Sequence, residues 1–546
     1  MSSQAWQYHD LTKHSYWSVR SNPHYLDWHN LPNPFKEYLD LPRISLPEKA
    51  APGGMPALQA IAANGSTRAT ATKPGQTVLG INIDSSIQPD LSQLASLLYY
   101  SAGVTKQRRY PEIYFRAAAC AGALYPVEVY VVCGELEGLG AGLYHFSPRD
   151  FSLVCLRETD CRAALLEATA AEPNVAGAPI ALIYTAITWR SSWKYRDRSY
   201  RYHFWDNGMI VGNALAEAAA LGLPAHVVMG FIDDRIDRLL GIDGERELPL
   251  SILTVGSVSP EPSAPATDLP EIRWSIAPLS YSEVDYPSIR QMHTATSLST
   301  SDEVASWRGT PAREAPYDRG PFGEGEFDDG RKADDDELRA VEGGESRFPL
   351  APLSEADLPH EGIENVIVRR GSTRRFALKA ISYPELSTIL DRSTREICAD
   401  FRPVPESQMN DVYMIVNRVD GLSAGSYYYD RSTASLVLLK AGDFHQQAAH
   451  LVLDQDLGGD ASITLFLMAD LASVFARLGG RGYRAVQMES GIIGSKMYIA
   501  AYALGRGATG LTFYDDEVTE FFSPHAAGKS CILALAIGVP GKRPLL

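Results

Sequence analysis

The sequence predicts an α+β protein in which one domain occurs twice in tandem, and three observations carry that prediction. A self-similarity recurs at constant spacing, strand and helix patterns follow the same order in each recurrence, and patterning collapses between them. Self-similarity comes first because a missed repeat misassigns a whole fold. Gly138-Leu139-Gly140-Ala141-Gly142-Leu143-Tyr144 returns as Gly421-Leu422-Ser423-Ala424-Gly425-Ser426-Tyr427, an offset of 283. Ser152-Leu153-Val154 returns as Ser435-Leu436-Val437, and Ala220-Leu221-Gly222 as Ala503-Leu504-Gly505, at the same offset. The stretch from Arg198 to Gly208 returns as Arg481 to Gly491, with Asp206 replaced by Glu489. Phe231-Ile232-Asp233-Asp234 then matches Phe513-Tyr514-Asp515-Asp516 at 282, a one-residue deletion in a loop. An offset held over this length marks a domain duplication.

Within each copy the elements follow from residue type. Val127 to Cys133 and Asp411 to Val416 are rich in β-branched and aromatic residues and read as strands. Tyr144–Leu156 and Tyr427–Leu439 read as hairpins about polar turns. Gly208–Leu221 and Gly491–Leu504 are helical and apolar nearly all round, which predicts burial, here between the copies. Leu250–Val255 and Ile532–Ile537 close the copies as final strands. The expected domains are an aromatic N-terminal arm over 1–75, a first copy over 76–260, an acidic Pro/Gly-rich linker over 261–360, partly disordered, and a second copy over 361–546.

A length of 546 residues fits two to four domains, and 45% hydrophobic against 21% charged residues describes a soluble globular chain. The net charge of −16 argues against a nucleic-acid partner. Much of it is local, since residues 301–350 hold 14 acidic and 7 basic side chains. The six cysteines match neither a CxxC pair nor zinc-finger spacing. With no apolar signal segment and no run near the ~18 residues of a membrane span, a cytoplasmic protein without membrane partners is expected. His203 and His226 lack partners at metal spacing, so no metal site is expected; no HExxH or Walker A pattern occurs, and the Gly138-Leu139-Gly140-Ala141-Gly142 turn, shared by both copies, lacks the GxGxxG spacing.

The candidate site residues are divided between the copies. The second copy opens with Arg369-Arg370-Gly371-Ser372-Thr373-Arg374-Arg375-Phe376 and ends in Gly541-Lys542-Arg543. Guanidiniums and a hydroxyl so close together suit a phosphate, through forked charge-assisted donors and one short one. An arginine-rich stretch alone is more often a solvated face, but the first copy lacks basic residues at both corresponding ends, near Gln76 and Glu261. The first copy instead has Ala119-Cys120-Ala121-Gly122-Ala123-Leu124-Tyr125-Pro126 entering a strand, small residues that let a flat ring approach. It also carries Lys194-Tyr195 where the second copy has Arg477-Leu478. Arg196 and Arg198 follow closely, and neighbouring cations lower a lysine pKa toward that of a usable base. The same residues fit an ordinary basic-aromatic loop with a cation–π contact.

The basic start and tail, the small-residue loop ending Ala123-Leu124-Tyr125-Pro126 and the Phe-x-Asp-Asp element resemble the nitroreductase superfamily. The stretch from His14 to Asp27, with Lys194-Tyr195, is similar more narrowly to its SagB-type, thiazoline (azoline) oxidase branch. The resemblance implies a nitroreductase-like fold, an intramolecular pseudo-dimer and FMN as cofactor. It implies that Arg370, Ser372, Arg374, Lys542 and Arg543 hold the phosphate, that Leu511 and Thr512 offer backbone N–H groups near the flavin N5, and that Cys120, Ala121, Gly122, Ala123 and Leu124 cover the ring. Cys120 departs from the family's usual Ser and Ala119 from its usual Pro. Lys194 and Tyr195 are the candidate catalytic pair. Three functions fit: FMN-dependent dehydrogenation of a peptide azoline or related natural-product intermediate with oxygen as acceptor, an NAD(P)H-dependent nitro, quinone or flavin reductase acting on a small-molecule substrate, and a non-catalytic flavin-binding partner subunit of a modification complex. The chain is expected as a monomeric pseudo-dimer or a homo-oligomer.

Overall fold

A computed structural model describes residues 2–21, 23–49, 52–63, 87–109, 112–258, 269–309, 346–402 and 408–541. Each copy is organised on a seven-stranded antiparallel sheet. In sheet order the first holds Arg43–Ser45, Ser152–Arg157, Gly142–Ser147, Val127–Cys133, Ile180–Ile187, Glu247–Val255 and Ala225–Val228. The second holds Arg347–Pro349, Ser435–Ala441, Gly425–Asp430, Asp411–Val416, Ile463–Ala469, Ser530–Gly538 and Gly507–Leu511 in the same order. All of Val127–Cys133 and Ile463–Ala469 is buried, which is why these strands are apolar runs without alternation. Among the described residues no helix is long and apolar enough to cross a membrane.

The two long helices pack on each other at the centre of the molecule. They run Ser199–Ala220 and Gly482–Ala503, each starting about two turns before the apolar stretch that predicts it. The earlier turns read as polar in the sequence yet are buried, because their arginines find partners across the interface. Glycine is required at the crossing. A Cβ on Gly208 would lie 2.6 Å from the Gly491 Cα, and one on Gly491 would lie 2.5 Å from the Trp205 carbonyl oxygen.

Ion pairs are exchanged between the copies with the same symmetry. Arg198 and Arg201 of the first copy reach Asp515 of the second at 2.8 and 2.7 Å. Arg481 and Arg484 of the second reach Asp233 of the first at 2.6 and 2.7 Å. Two flanking arginines hold both aspartates well below the usual carboxylate range against the opposing effect of burial. Removing one member of such a buried pair strands the others, a loss of ~3–5 kcal/mol.

The repeat extends beyond the predicted copies. In the N-terminal arm, helix Ser2–Leu11 gives the His9 carbonyl and the Thr12 hydroxyl to Arg201. In the stretch expected as linker, helix Pro287–Ala295 gives the His293 carbonyl and the Thr296 hydroxyl to Arg484. His14 N–H bonds Asp515 and Leu298 N–H bonds Asp233, at 2.8 and 3.0 Å. Arg43–Ser45 and Arg347–Pro349 likewise add corresponding edge strands. Residues 269–309 therefore form an ordered arm of the second copy, with a further helix at Ser301–Gly309. Only a few polar residues repeat between the arms, so composition alone reads as a linker.

Candidate active site

The small-residue loop of the first copy lies against the end of the helix Thr188–Tyr195. A Cβ on Gly122 would come within 2.8 Å of the Tyr195 hydroxyl and 3.3 Å of Lys194 Nζ, so both side chains close on the bare glycine. The backbone here is strained. Gly122 has φ 64°, and the non-glycine residues Ala123, Tyr125 and Arg196 have φ 54°, 49° and 52°. The counterpart of Arg196 in the second copy is Gly479, φ 56°, which takes this conformation without a Cβ. Left-handed non-glycine residues cost on the order of 1–3 kcal/mol each and cluster at functional sites.

Tyr195 stacks on Tyr202 of the long helix, ring centroids 4.2 Å apart, and the Tyr202 hydroxyl lies 3.3 Å from that of Thr512 in the second copy. Leu511, at the end of the edge strand Gly507–Leu511, precedes it. Lys194 is partly buried, and burial, with Arg374 of the second copy next in weight, lowers its pKa. That corrects the expectation that Arg196 and Arg198 do so: Arg198 is neutralised by Asp515, and Arg196 faces Tyr286. Leu124 packs with Ile187, Trp189 and Trp193, beside Tyr195.

The basic start of the second copy borders this loop. Arg370 Nε and one terminal nitrogen bond the Ala117 carbonyl at 3.0 and 2.9 Å, and its guanidinium lies 5.7 Å from the Tyr498 ring centre. Ser372 Oγ is 3.4 Å from the Tyr498 hydroxyl, which accepts the Gly510 N–H at 2.6 Å. Arg374 is exposed. Gly541 N–H bonds the Arg375 carbonyl at 2.9 Å, so Gly541 lies beside the basic start. Lys542 and Arg543 lie outside the described residues. Among the described residues no carboxylate is within salt-bridge distance of Lys194, Arg370 or Arg374. Two cations without acidic partners, Arg370 and Arg374, beside a bare-glycine loop fit a ligand that is anionic at one end and flat at the other, which is the chemistry of FMN.

Sequence reasoning missed Asp206, nearly fully buried on the long helix. Its carboxylate accepts the Ala121 N–H at 2.9 Å and meets the Cys120 thiol at 3.2 Å, and burial pushes its pKa up to about 7. The signal available was an acid at one position of both copies, Asp206 and Glu489.

The pseudo-equivalent pocket on the opposite side is filled by the chain. Met229 and Gly230, counterparts of Leu511 and Thr512, donate their N–H groups to the Asp400 carboxylate at 2.9 and 2.8 Å. Arg308, from the helix Ser301–Gly309, pairs with Asp400 at 3.2 Å and bonds the Gly230 carbonyl. Trp307 donates to the carbonyl of Leu478, the counterpart of Tyr195, at 3.0 Å. His203 is buried in the long helix, and burial lowers its pKa to about 3. All six cysteines are free thiols, and among the described residues no cluster of His, Cys, Asp and Glu could hold a metal ion.

Comparison with known proteins agrees with the duplication. The nitroreductase family model matches twice, over residues 88–257 and 367–539. The nitroreductase-like protein MJ1384 of Methanocaldococcus jannaschii is 32% identical over 166 residues, 30% of this chain and 80% of its own. The microcin B17-processing protein McbC of Escherichia coli is 28% identical over 144 residues, 25% of this chain; the aligned part is 53% of McbC, about half its length. The crystal structure of a nitroreductase-like protein from Anabaena variabilis superposes with TM-score 0.71 at 26% identity, covering 98% of this chain and 99% of that one. With its sheet order repeated twice and the family model matched in both copies over more than half its length, the chain belongs to the nitroreductase family.

Proposed function

We propose that this chain is an FMN-dependent oxidoreductase with one flavin site, assembled from both copies, that dehydrogenates a peptide-derived azoline or a related heterocycle. The observation that carries this reading is the meeting of Lys194 and Tyr195 at Gly122, beside Arg374 of the other copy. Arg370, Ser372 and Arg374, with Lys542 and Arg543, hold the phosphate. Cys120, Ala121, Gly122, Ala123 and Leu124 cover the ring, and Leu511 and Thr512 edge it. Bound FMN supplies a two-electron acceptor. The residues of the chain handle the proton: Lys194, its pKa lowered by burial and by Arg374, takes a ring proton at Nζ, and the Tyr195 hydroxyl orients the amine or the substrate. Similarity to a microcin-processing protein supports a peptide-derived substrate.

The test is to mix the purified yellow protein anaerobically with an azoline-containing peptide, and separately with NADPH. Bleaching of the flavin by the peptide at a rate lost in Lys194→Ala supports the reading. Rapid bleaching by NADPH and none by the peptide would make the chain a reductase.

A further inference from the structure

The loop that closes on Lys194 and Tyr195 is fastened from behind by one side chain. Asp206 is 4% exposed and projects from the long helix under the loop. It receives the Ala121 N–H on one carboxylate oxygen, at 2.9 Å, and faces the Cys120 thiol with the other, at 3.2 Å. The Cys120 sulfur accepts the Tyr125 N–H at 3.2 Å, so the strained turn is tied at both ends to one carboxyl. A small cavity lies beside these groups, lined in part by Arg116, Cys120, Tyr125 and Asp206. The second copy uses the same device. Glu489, at the pseudo-equivalent position, accepts the Met409 and Asn410 N–H groups at 2.9 Å and Asn410 Nδ2 at 2.8 Å. It has Arg402 beside it at 3.6 Å. Asp206 has one backbone donor, one thiol and no cation within ion-pair distance among the described residues.

We propose that Asp206 is a positioning residue for the reaction: its carboxyl clamps the Cys120–Leu124 loop through Ala121 and Cys120 and so sets Gly122 against Lys194 and Tyr195. The proposal rests on the site reading above, but the clamp is a property of the chain and is measurable without flavin. Its strength changes with protonation, because a carboxylate accepts an N–H bond more strongly than a neutral carboxyl does. The groups facing Asp206 are Cys120 and Tyr125 of the loop, Arg116 of the strand before it, and Tyr195 of the helix Thr188–Tyr195, with Arg370 beyond Cys120. Burial raises the Asp206 pKa to about 7, so the clamp tightens as pH rises through neutrality. The sign for stability is opposite: with the folded pKa above the unfolded value of ~3.9, ionising Asp206 in place lowers stability as pH climbs from there through about 7.

The test is amide hydrogen exchange at Ala121 in the full chain, with and without added FMN, across neutral pH and corrected for the intrinsic rate. In Asp206→Ala, exchange at Ala121 is expected to rise by roughly 10-fold or more while the long helices stay protected. Asp206→Asn, whose amide oxygen still accepts the N–H, is expected to restore most of the protection. The wild-type protection is expected to step up as pH rises through neutrality, and that step to vanish in Asp206→Asn. Unchanged exchange in Asp206→Ala, or a step that survives in Asp206→Asn, overturns the proposal. A protein that takes up no FMN leaves the flavin-free measurement intact and counts against the site reading alone.

Discussion

The two pseudo-equivalent pockets start from one template and end in opposite states. On one side a bare-glycine loop, Lys194, Tyr195 and the second copy's arginines leave cations without acidic partners. On the other, Asp400 takes the backbone N–H groups of Met229 and Gly230, and Arg308 and Trp307 pack onto Gly230. The central helices and their crossed arginine–aspartate pairs stay symmetric. Duplication within one chain frees the two sites to diverge, whereas the identical subunits of a two-fold dimer must keep both. Here the interface kept its symmetry and the pockets lost theirs.

Substitutions made in pairs, one on each side, test that contrast. The largest effect is expected in catalysis. Lys194→Ala should purify yellow with normal flavin content and slow substrate-driven flavin reduction by ~10²–10⁴, the range for losing a general base. Arg477→Ala, at the counterpart position, should leave turnover per folded molecule unchanged. Stopped-flow absorbance reads both, and equal losses would erase the asymmetry.

The interface should respond symmetrically. Asp233→Ala and Asp515→Ala should each destabilise by ~3–5 kcal/mol in denaturant unfolding, because each strands two buried arginines. The folded pKa of both aspartates is depressed, so their contribution is present above the unfolded value of ~3.9 and lost as pH falls toward the folded one. Acid unfolding of wild type should therefore be steep below that value and shallower in either variant. A large gap between the two variants would mean that the copies do not brace each other equally.

Anchoring comes next. Arg370→Ala removes a charge-assisted phosphate bond worth ~1.5–3 kcal/mol and should weaken FMN binding about tenfold or more, read by equilibrium dialysis. The smallest effect belongs to the filled pocket. Asp400→Ala should cost ~1–3 kcal/mol of stability, by leaving two backbone donors unpaired, with no change in FMN affinity. A gain of flavin in this variant would show that Asp400 alone blocks a competent second site.

Much of this was legible in the sequence because repeats and local chemistry leave marks in it. The constant offset located both copies, and Val127–Cys133 and Asp411–Val416 are strands over the residues expected. Lys194-Tyr195 and the small-residue loop stood out because each occurs in one copy only. The second arm was not legible, since what repeats there is a backbone carbonyl and a threonine hydroxyl offered to an arginine, which leave little trace in composition. Asp400 was equally hidden: it acts on backbone N–H groups distant in sequence, and no spacing rule marks such a partner. The early turns of the long helices read as polar because a sequence does not show that a buried arginine will meet an aspartate from the other copy.

The central claim is that two copies build one flavin site, and the most direct test is stoichiometry. Protein reconstituted with excess FMN, freed of unbound cofactor and denatured to release the rest, should yield one FMN per chain. A ratio near two would contradict the account, because the pocket closed by Asp400, Arg308 and Trp307 would then have to hold a flavin as well.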